Sequence, residues 1–173
     1  MAGSEPTGLA PDDDRHLGAV LALAERSRRE GHHPFAAAVV GADGRLLAEA
    51  MNDSRRDRTA HAEMNALRAA AEQHGEAALA GATLFSSAEP CAMCAGGAYW
   101  AGIGRVVYAL SETSLLALTG SDPENPTLAL PCREVFSRGQ RPVAVIGPLR
   151  EDEARRAHLG FWKEPSQPDL SQT

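Results

Sequence analysis

The chain has 173 residues, 43% hydrophobic and 23% charged, which suits one soluble globular domain with its own core and excludes two comfortable ones. Seventeen basic residues against twenty-three acidic ones give a net charge of −6. Arginines form no long stripe, clustering at Arg26, Arg28 and Arg29 and at Arg55, Arg56 and Arg58, whereas a protein that grips a polyanion usually shows a basic face, so the balance argues against nucleic acid as partner.

The N-terminal stretch from Met1 to Asp14 lacks a basic segment followed by an apolar core, so it does not resemble a secretory signal, and residues 1–11 are expected to be a disordered leader. Asp12 to Glu30 places Leu17, Val20, Leu21 and Ala24 at helical spacing, with Asp12 to Asp14 at its start and Gly31 to stop it. Phe35 to Val40 is an apolar run between Pro34 and Gly41, Ala42-Asp43-Gly44 is a hairpin turn signal, and Arg45 to Met51 returns as a second strand. His61 to Gln73 favours helix, Thr83 to Ser86 a short strand, Cys91 to Ala101 a helix and Arg105 to Leu110 another strand. Ser111 to Arg141 carries one helical piece, Glu112 to Leu118, and a Pro-rich loop from Pro123 to Pro131. Pro142 to Ile146 gives a fifth strand and Glu151 to Leu159 a terminal helix, with 164–173 as a flexible tail. A hairpin followed by strand–helix alternation predicts a mixed sheet covered by helices on both faces. The longest apolar runs are strand-sized and far below a membrane span. Three cysteines, two of them in one Cys-x-x-Cys, fit a reducing, cytoplasmic compartment.

The chemistry concentrates in His61-Ala62-Glu63 and Pro90-Cys91-Ala92-Met93-Cys94. One imidazole (His61) and two thiolates (Cys91, Cys94) form a ligand set that Zn²⁺ favours, and three protein ligands leave a fourth position for a water that ionises near neutral pH. Cysteines at i and i+3 share a helix face, and a helix start favours thiolate over thiol. The alternatives for Cys91 and Cys94 are a redox pair or half of a structural zinc knot. The first leaves His61 and Glu63 unexplained. The second needs a fourth ligand, for which Cys132, His32 and His33 show no suitable spacing. An open site with one Zn²⁺ per chain is the expectation. Glu63, two residues from the imidazole, is then a carboxylate free to move protons beside that water, although a glutamate in a first helical turn also serves the helix dipole.

The pairing of His-x-Glu with Pro-Cys-x-x-Cys resembles the cytidine deaminase-like zinc hydrolases, the CMP/dCMP deaminase superfamily. The resemblance covers Leu17 to Ile146 and implies an α/β fold, a three-layer α/β/α sandwich with a five-stranded mixed sheet, for a catalytic domain over residues 12–163. The long connection before the fifth strand is similar to the branch of guanine and tRNA adenosine deaminases, in which the last two strands run parallel. That branch implies Phe35 as a pocket wall, Asn52 as a hydrogen-bonding reader of the ring, the backbone of Ala62 at the amide edge, and Trp100 near the base. Phe35 and Trp100 are equally compatible with plain core, Asn52 with a turn, and Cys132 with a small apolar filler. The acidic residue that guanine deaminases carry after the fourth strand aligns with Ser114, with Glu112 close by. The expected function is zinc-dependent deamination of a small free nucleobase-type heterocycle (a guanine-like purine, or a cytosine- or triazine-like ring), with release of ammonia. A tRNA adenosine deaminase is the alternative with the same chemistry, and an inactive zinc-stabilised binding protein the alternative of another class. A homodimer is implied by the family. Phe161-Trp162 is expected to cap the site, seal a subunit interface or pack on the sheet, and Asp53 to Arg58 and Ser111 to Arg133 are where the substrate-reading side should lie.

Overall fold

The computed structural model describes residues 9–162, so the expected tail, most of the leader and the last residue of the expected domain lie outside the described residues. Helix α1 spans Asp13–Arg29 and buries Leu17, Val20, Leu21 and Ala24 on one face. Its first turn carries Asp13 and Asp14 and its last turn Arg26, Arg28 and Arg29, charges that oppose the helix dipole at each end. Gly31 leaves the helix at φ +87°, a backbone that a residue with a Cβ rarely adopts. Strands β1 (Ala36–Val40) and β2 (Leu46–Met51) form the expected antiparallel hairpin, with a register shift between Val39 and Val40.

Helix α2 (Ala62–His74) and a 3₁₀ turn (Glu76–Leu79) lead to β3 (Thr83–Ala88), and α3 (Ala92–Trp100) leads to β4 (Arg105–Leu110). The crossover from β4 to β5 (Ala144–Ile146) holds α4 (Glu112–Thr119) and a second helix, α5 (Cys132–Ser137), which the sequence pattern does not foreshadow. Six residues are too few to show a helical period, and only Cys132 and Phe136, four apart, are buried. The terminal helix α6 is shorter than expected, Glu151–Arg156.

The sheet order is β2-β1-β3-β4-β5, with β1 antiparallel to both neighbours and β3, β4 and β5 parallel. Side chains alternate between its faces. Val39, Leu84 and Val106 point into a core shared with α2, α3 and α5. Phe85, Val107 and Ala38 point into a second core covered by α1 and Ala154 of α6. Full burial contributes about 1.5–3 kcal/mol for each large apolar side chain, so the two cores fix the register of the strands. Among the described residues no helix is long and apolar enough to cross a membrane.

Candidate active site

The topology brings the ends that matter to one edge of the sheet. Because β2, β3 and β4 point the same way and β1 runs against them, the start of β1 and the ends of the other three share that edge. Phe35 therefore lies beside Asn52, whose N–H donates to the Phe35 carbonyl at 3.1 Å, and Glu89 and Glu112 emerge from the next two strands. Ligands of α/β sheets bind at such carboxyl-end crevices. A cavity of about 280 Å³ opens there, with His33, Phe35, Asn52, His61, Glu63 and Glu112 among its lining.

His61 and Cys91 are the N-cap residues of α2 and α3, and neither uses its side chain to cap its helix. Cys94 follows in the first turn of α3 and is fully buried. His61 Nδ1 lies 3.6 Å from Cys91 Sγ and 3.5 Å from Cys94 Sγ, and the three donor atoms all fall within 4.8 Å of one another. A tetrahedral zinc with Zn–S of about 2.3 Å and Zn–N of about 2.0 Å separates nitrogen from sulfur ligands by about 3.5 Å. The donor set and its spacing thus fit a zinc ion held by His61, Cys91 and Cys94. Among the described residues no fourth His, Cys, Asp or Glu joins the group, as an open site requires. Hydrogen bonding from the Cys94 thiol, and then from His61, pulls the Cys91 thiol down to about 4, whereas its bond to Cys91 and its burial push Cys94 well up.

Glu63 sits in the first turn of α2 and is 7% exposed. Its Oε1 accepts from the Ser86 hydroxyl at 2.9 Å, and its Oε2 lies 3.5 Å from Cys94 Sγ. Burial raises its pKa first, and the charge on Cys91 adds to the effect. A carboxyl so placed can take and return a proton over the metal position. A second carboxyl that the resemblance gave no role, Glu112, also lines the cavity and is pushed up to about 7 by burial and then by Cys91. Its backbone N–H is held by Glu89, whose other oxygen accepts from Cys132 N at 3.0 Å, so Glu89 ties α4 and α5 to the strand that ends at the site. Cys132 is fully buried, with its thiol raised to about 12, which suits an inert filler.

Two expected contacts are not brought to the cavity. Trp100 is 87% exposed and is not among the lining residues, because it ends α3 nine residues beyond Cys91, roughly 14 Å along the helix axis. Ala62 is fully buried in the core beneath α2. Ser114 turns away as well, its hydroxyl accepting from Arg155 at 2.9 Å. Phe161 and Trp162 pack behind the wall rather than over it. Trp162 is 6.0 Å from Phe35 and 5.2 Å from His33 between ring centroids, and its Nε1 donates to His158 Nδ1 at 3.1 Å. Ser54 and an irregular wall at Glu124, Asn125, Pro126, Thr127 and Leu128 line the cavity from within the two stretches, Asp53 to Arg58 and Ser111 to Arg133, expected to hold the substrate-reading side, whereas His33 lies outside both and had no signal in the sequence.

Residues 11–110 match the family model of the cytidine and deoxycytidylate deaminase zinc-binding region. A probable cytosine deaminase of Schizosaccharomyces pombe is 35% identical over 159 residues, which cover 90% of this chain and 96% of that protein. The fold is similar to a guanine deaminase structure from Nitrosomonas europaea, with a TM-score of 0.69 and 30% identity over 90% of this chain and 87% of that one. It is comparably similar to a structure from a study of tRNA:A34 deaminases, with a TM-score of 0.67 and 30% identity over 83% of this chain and 99% of that one. With its zinc-fitting His61, Cys91 and Cys94 inside the matched region, the chain belongs to the cytidine and deoxycytidylate deaminase family and is a zinc-type aminohydrolase.

Proposed function

We propose that the protein hydrolyses the exocyclic amine of a small, free nucleobase-type heterocycle, giving the oxo ring and ammonia. The observation that carries this reading is the size and lining of the cavity. At about 280 Å³ it falls at the low end for ligand sites and suits one or two fused rings. Glu63 and Glu112 beside the metal position favour an uncharged ring over a phosphate-bearing one. The cytosine deaminase that matches nearly end to end adds support from a different direction.

His61, Cys91 and Cys94 would hold a Zn²⁺ whose Lewis acidity would make a water acidic near neutral pH. Glu63 takes a proton from that water and passes it to the ring nitrogen next to the attacked carbon. It then carries the second proton of the water to the departing amine, so both leave as part of the oxo ring and ammonia. Phe35 offers an apolar face to the ring plane, and Asn52 a hydrogen bond to its edge. The exposed indole of Trp100 suits a subunit interface in a homodimer, and the reduced cysteines suit the cytoplasm.

A second reading, adenosine deamination within tRNA, draws on the near-complete coverage of the tRNA:A34 deaminase structure and on Arg58 at the cavity rim. Zinc analysis and an ammonia-release screen over guanine, adenine, cytosine, isocytosine, ammeline, ammelide, their nucleosides and tRNA test the proposal. Turnover of a free ring is the expected result. Turnover of tRNA alone would overturn it, and full zinc with no turnover anywhere would favour a binding protein.

A further inference from the structure

The oxygen and nitrogen of a side-chain amide exchange places on a half-turn, so only its partners decide which one faces a ligand. At Asn52 the partners decide. The backbone N–H of Ser54, which can only donate, lies 2.9 Å from Asn52 Oδ1, and the Ser54 hydroxyl lies 2.7 Å from the same atom. The atom turned toward Ser54 is therefore the oxygen. Nδ2, which has no partner among the described residues, is left to the cavity that Asn52 lines.

The chain of bonds continues outward. Two oxygens 2.7 Å apart need a proton between them, and the Asn52 carbonyl has none to give, so the Ser54 proton lies toward Asn52. Ser54 Oγ also lies 3.2 Å from His33 Nδ1, which joins the ring to that hydroxyl. On its other side His33 Nε2 lies 2.8 Å from Glu124 Oε2, a carboxylate that accepts. That bond from His33, followed by the bond from Arg55, holds the Glu124 carboxyl below its usual range. His33 is itself 4% exposed and is held edge-on by Phe161 and Trp162. One set of bonds thus links Glu124, His33, Ser54 and Asn52.

We propose that His33 is a positioning residue that, with Ser54 and Glu124, fixes Asn52 with its N–H groups toward the bound ring, so that the substrate must offer a hydrogen-bond acceptor there, a carbonyl oxygen or an unprotonated ring nitrogen. The proposal rests on the reading of the cavity as the ring-binding site. It also links Asn52, at the rigid end of β2, to Glu124 at the start of the irregular wall, so the reader of the ring edge and the wall of the cavity are held by one set of bonds.

The test is a double-mutant cycle on the zinc-loaded full chain with the best ring from the screen. His33→Phe keeps an aromatic ring for Phe161 and Trp162 but removes both ring nitrogens and so both polar contacts. It should raise KM about tenfold with kcat within about twofold, zinc content unchanged. Added to Asn52→Ala it should raise KM by less than about twofold further, because the residue it positions is gone. Fully multiplicative losses would mean that His33 only packs, and would overturn the proposal. Glu124→Ala reaches the same chain from a half-exposed loop position and keeps the cycle readable if His33→Phe does not fold. It should act in the same direction and be silent in Asn52→Ala, and multiplicative losses there would overturn the proposal equally. A readout without turnover separates this idea from the assignment of function. In a ¹H–¹⁵N spectrum of the zinc-loaded protein the Asn52 side-chain amide pair should move on His33→Phe, and an unmoved pair would overturn the proposal even if every ring is a substrate.

Discussion

Replacing Glu63 by glutamine removes the proton shuttle while leaving its surroundings in place. The amide oxygen of a glutamine can still accept from Ser86 as Oε1 does at 2.9 Å, and its NH₂ can face Cys94 Sγ where Oε2 now lies at 3.5 Å. Each assisted proton transfer is worth roughly 10²–10⁴-fold, and this residue is assigned two of them. A fall in kcat of at least about 10³-fold follows, about 4 kcal/mol of transition-state stabilisation. Two further consequences separate this from general damage. Glu63 is not one of the three metal-ligating residues, so the variant should keep one zinc per chain. Burial already works against the charged form of Glu63, so Glu63→Gln should melt no lower than the parent protein. Ammonia release, elemental analysis and a thermal melt read the three outcomes. Turnover retained within about tenfold, or zinc lost together with activity, would refute the assignment of Glu63.

Two other predictions come from the same geometry. Burial, with the Arg28 charge second, holds His158 down at about 4 against an ordinary 6.5, so between those values the unfolded chain binds a proton that the folded one refuses. The stability tied to this neutral ring is fully present above pH 6.5 and fades by about 3 kcal/mol as pH falls to 4. Denaturant midpoints of His158→Gln, which keeps an acceptor for Trp162, should lack that part of the acid slope, and parallel slopes in both proteins would refute it. Removal of zinc by a chelator should abolish ammonia release and lower the melting temperature, with both restored by Zn²⁺ and not by Mg²⁺, since thiolate and imidazole ligands select against a hard cation.

The metal-ligating group and the placement of Glu63 beside it were legible in the sequence because their spacing is local. Residues one to three apart at a helix start have little choice of where to point, and the ligand chemistry of His, Cys and Cys is narrow. Phe35 and Asn52 needed the family's strand directions, and the antiparallel hairpin does place them side by side. Trp100 lies away from this chain's cavity because it stands nine positions beyond Cys91 along a helix, and nearness in sequence is not nearness in space over that length. Ser54 and the 124–128 wall fall within stretches the sequence marked, but their bonds to His33 span 21 and 91 positions, and no periodicity or spacing encodes such contacts. Helix α5 was hidden likewise, a six-residue piece whose two buried residues make no stripe.

The floor and the wall of the cavity differ in how much the fold has invested in them. His61, Glu63, Cys91 and Cys94 hang from two helix starts packed against a shared core, so a change there disturbs many neighbours. Residues 124–128 belong to no helix or strand, and Leu128 is 60% exposed. Substitutions, and even changes of length, can accumulate in that loop without moving the metal or the shuttle. The loop and the metal-ligating helix starts are thus separable parts of the domain, and a loop exchange at these positions is the natural starting point for altering the cavity by design while keeping the metal position.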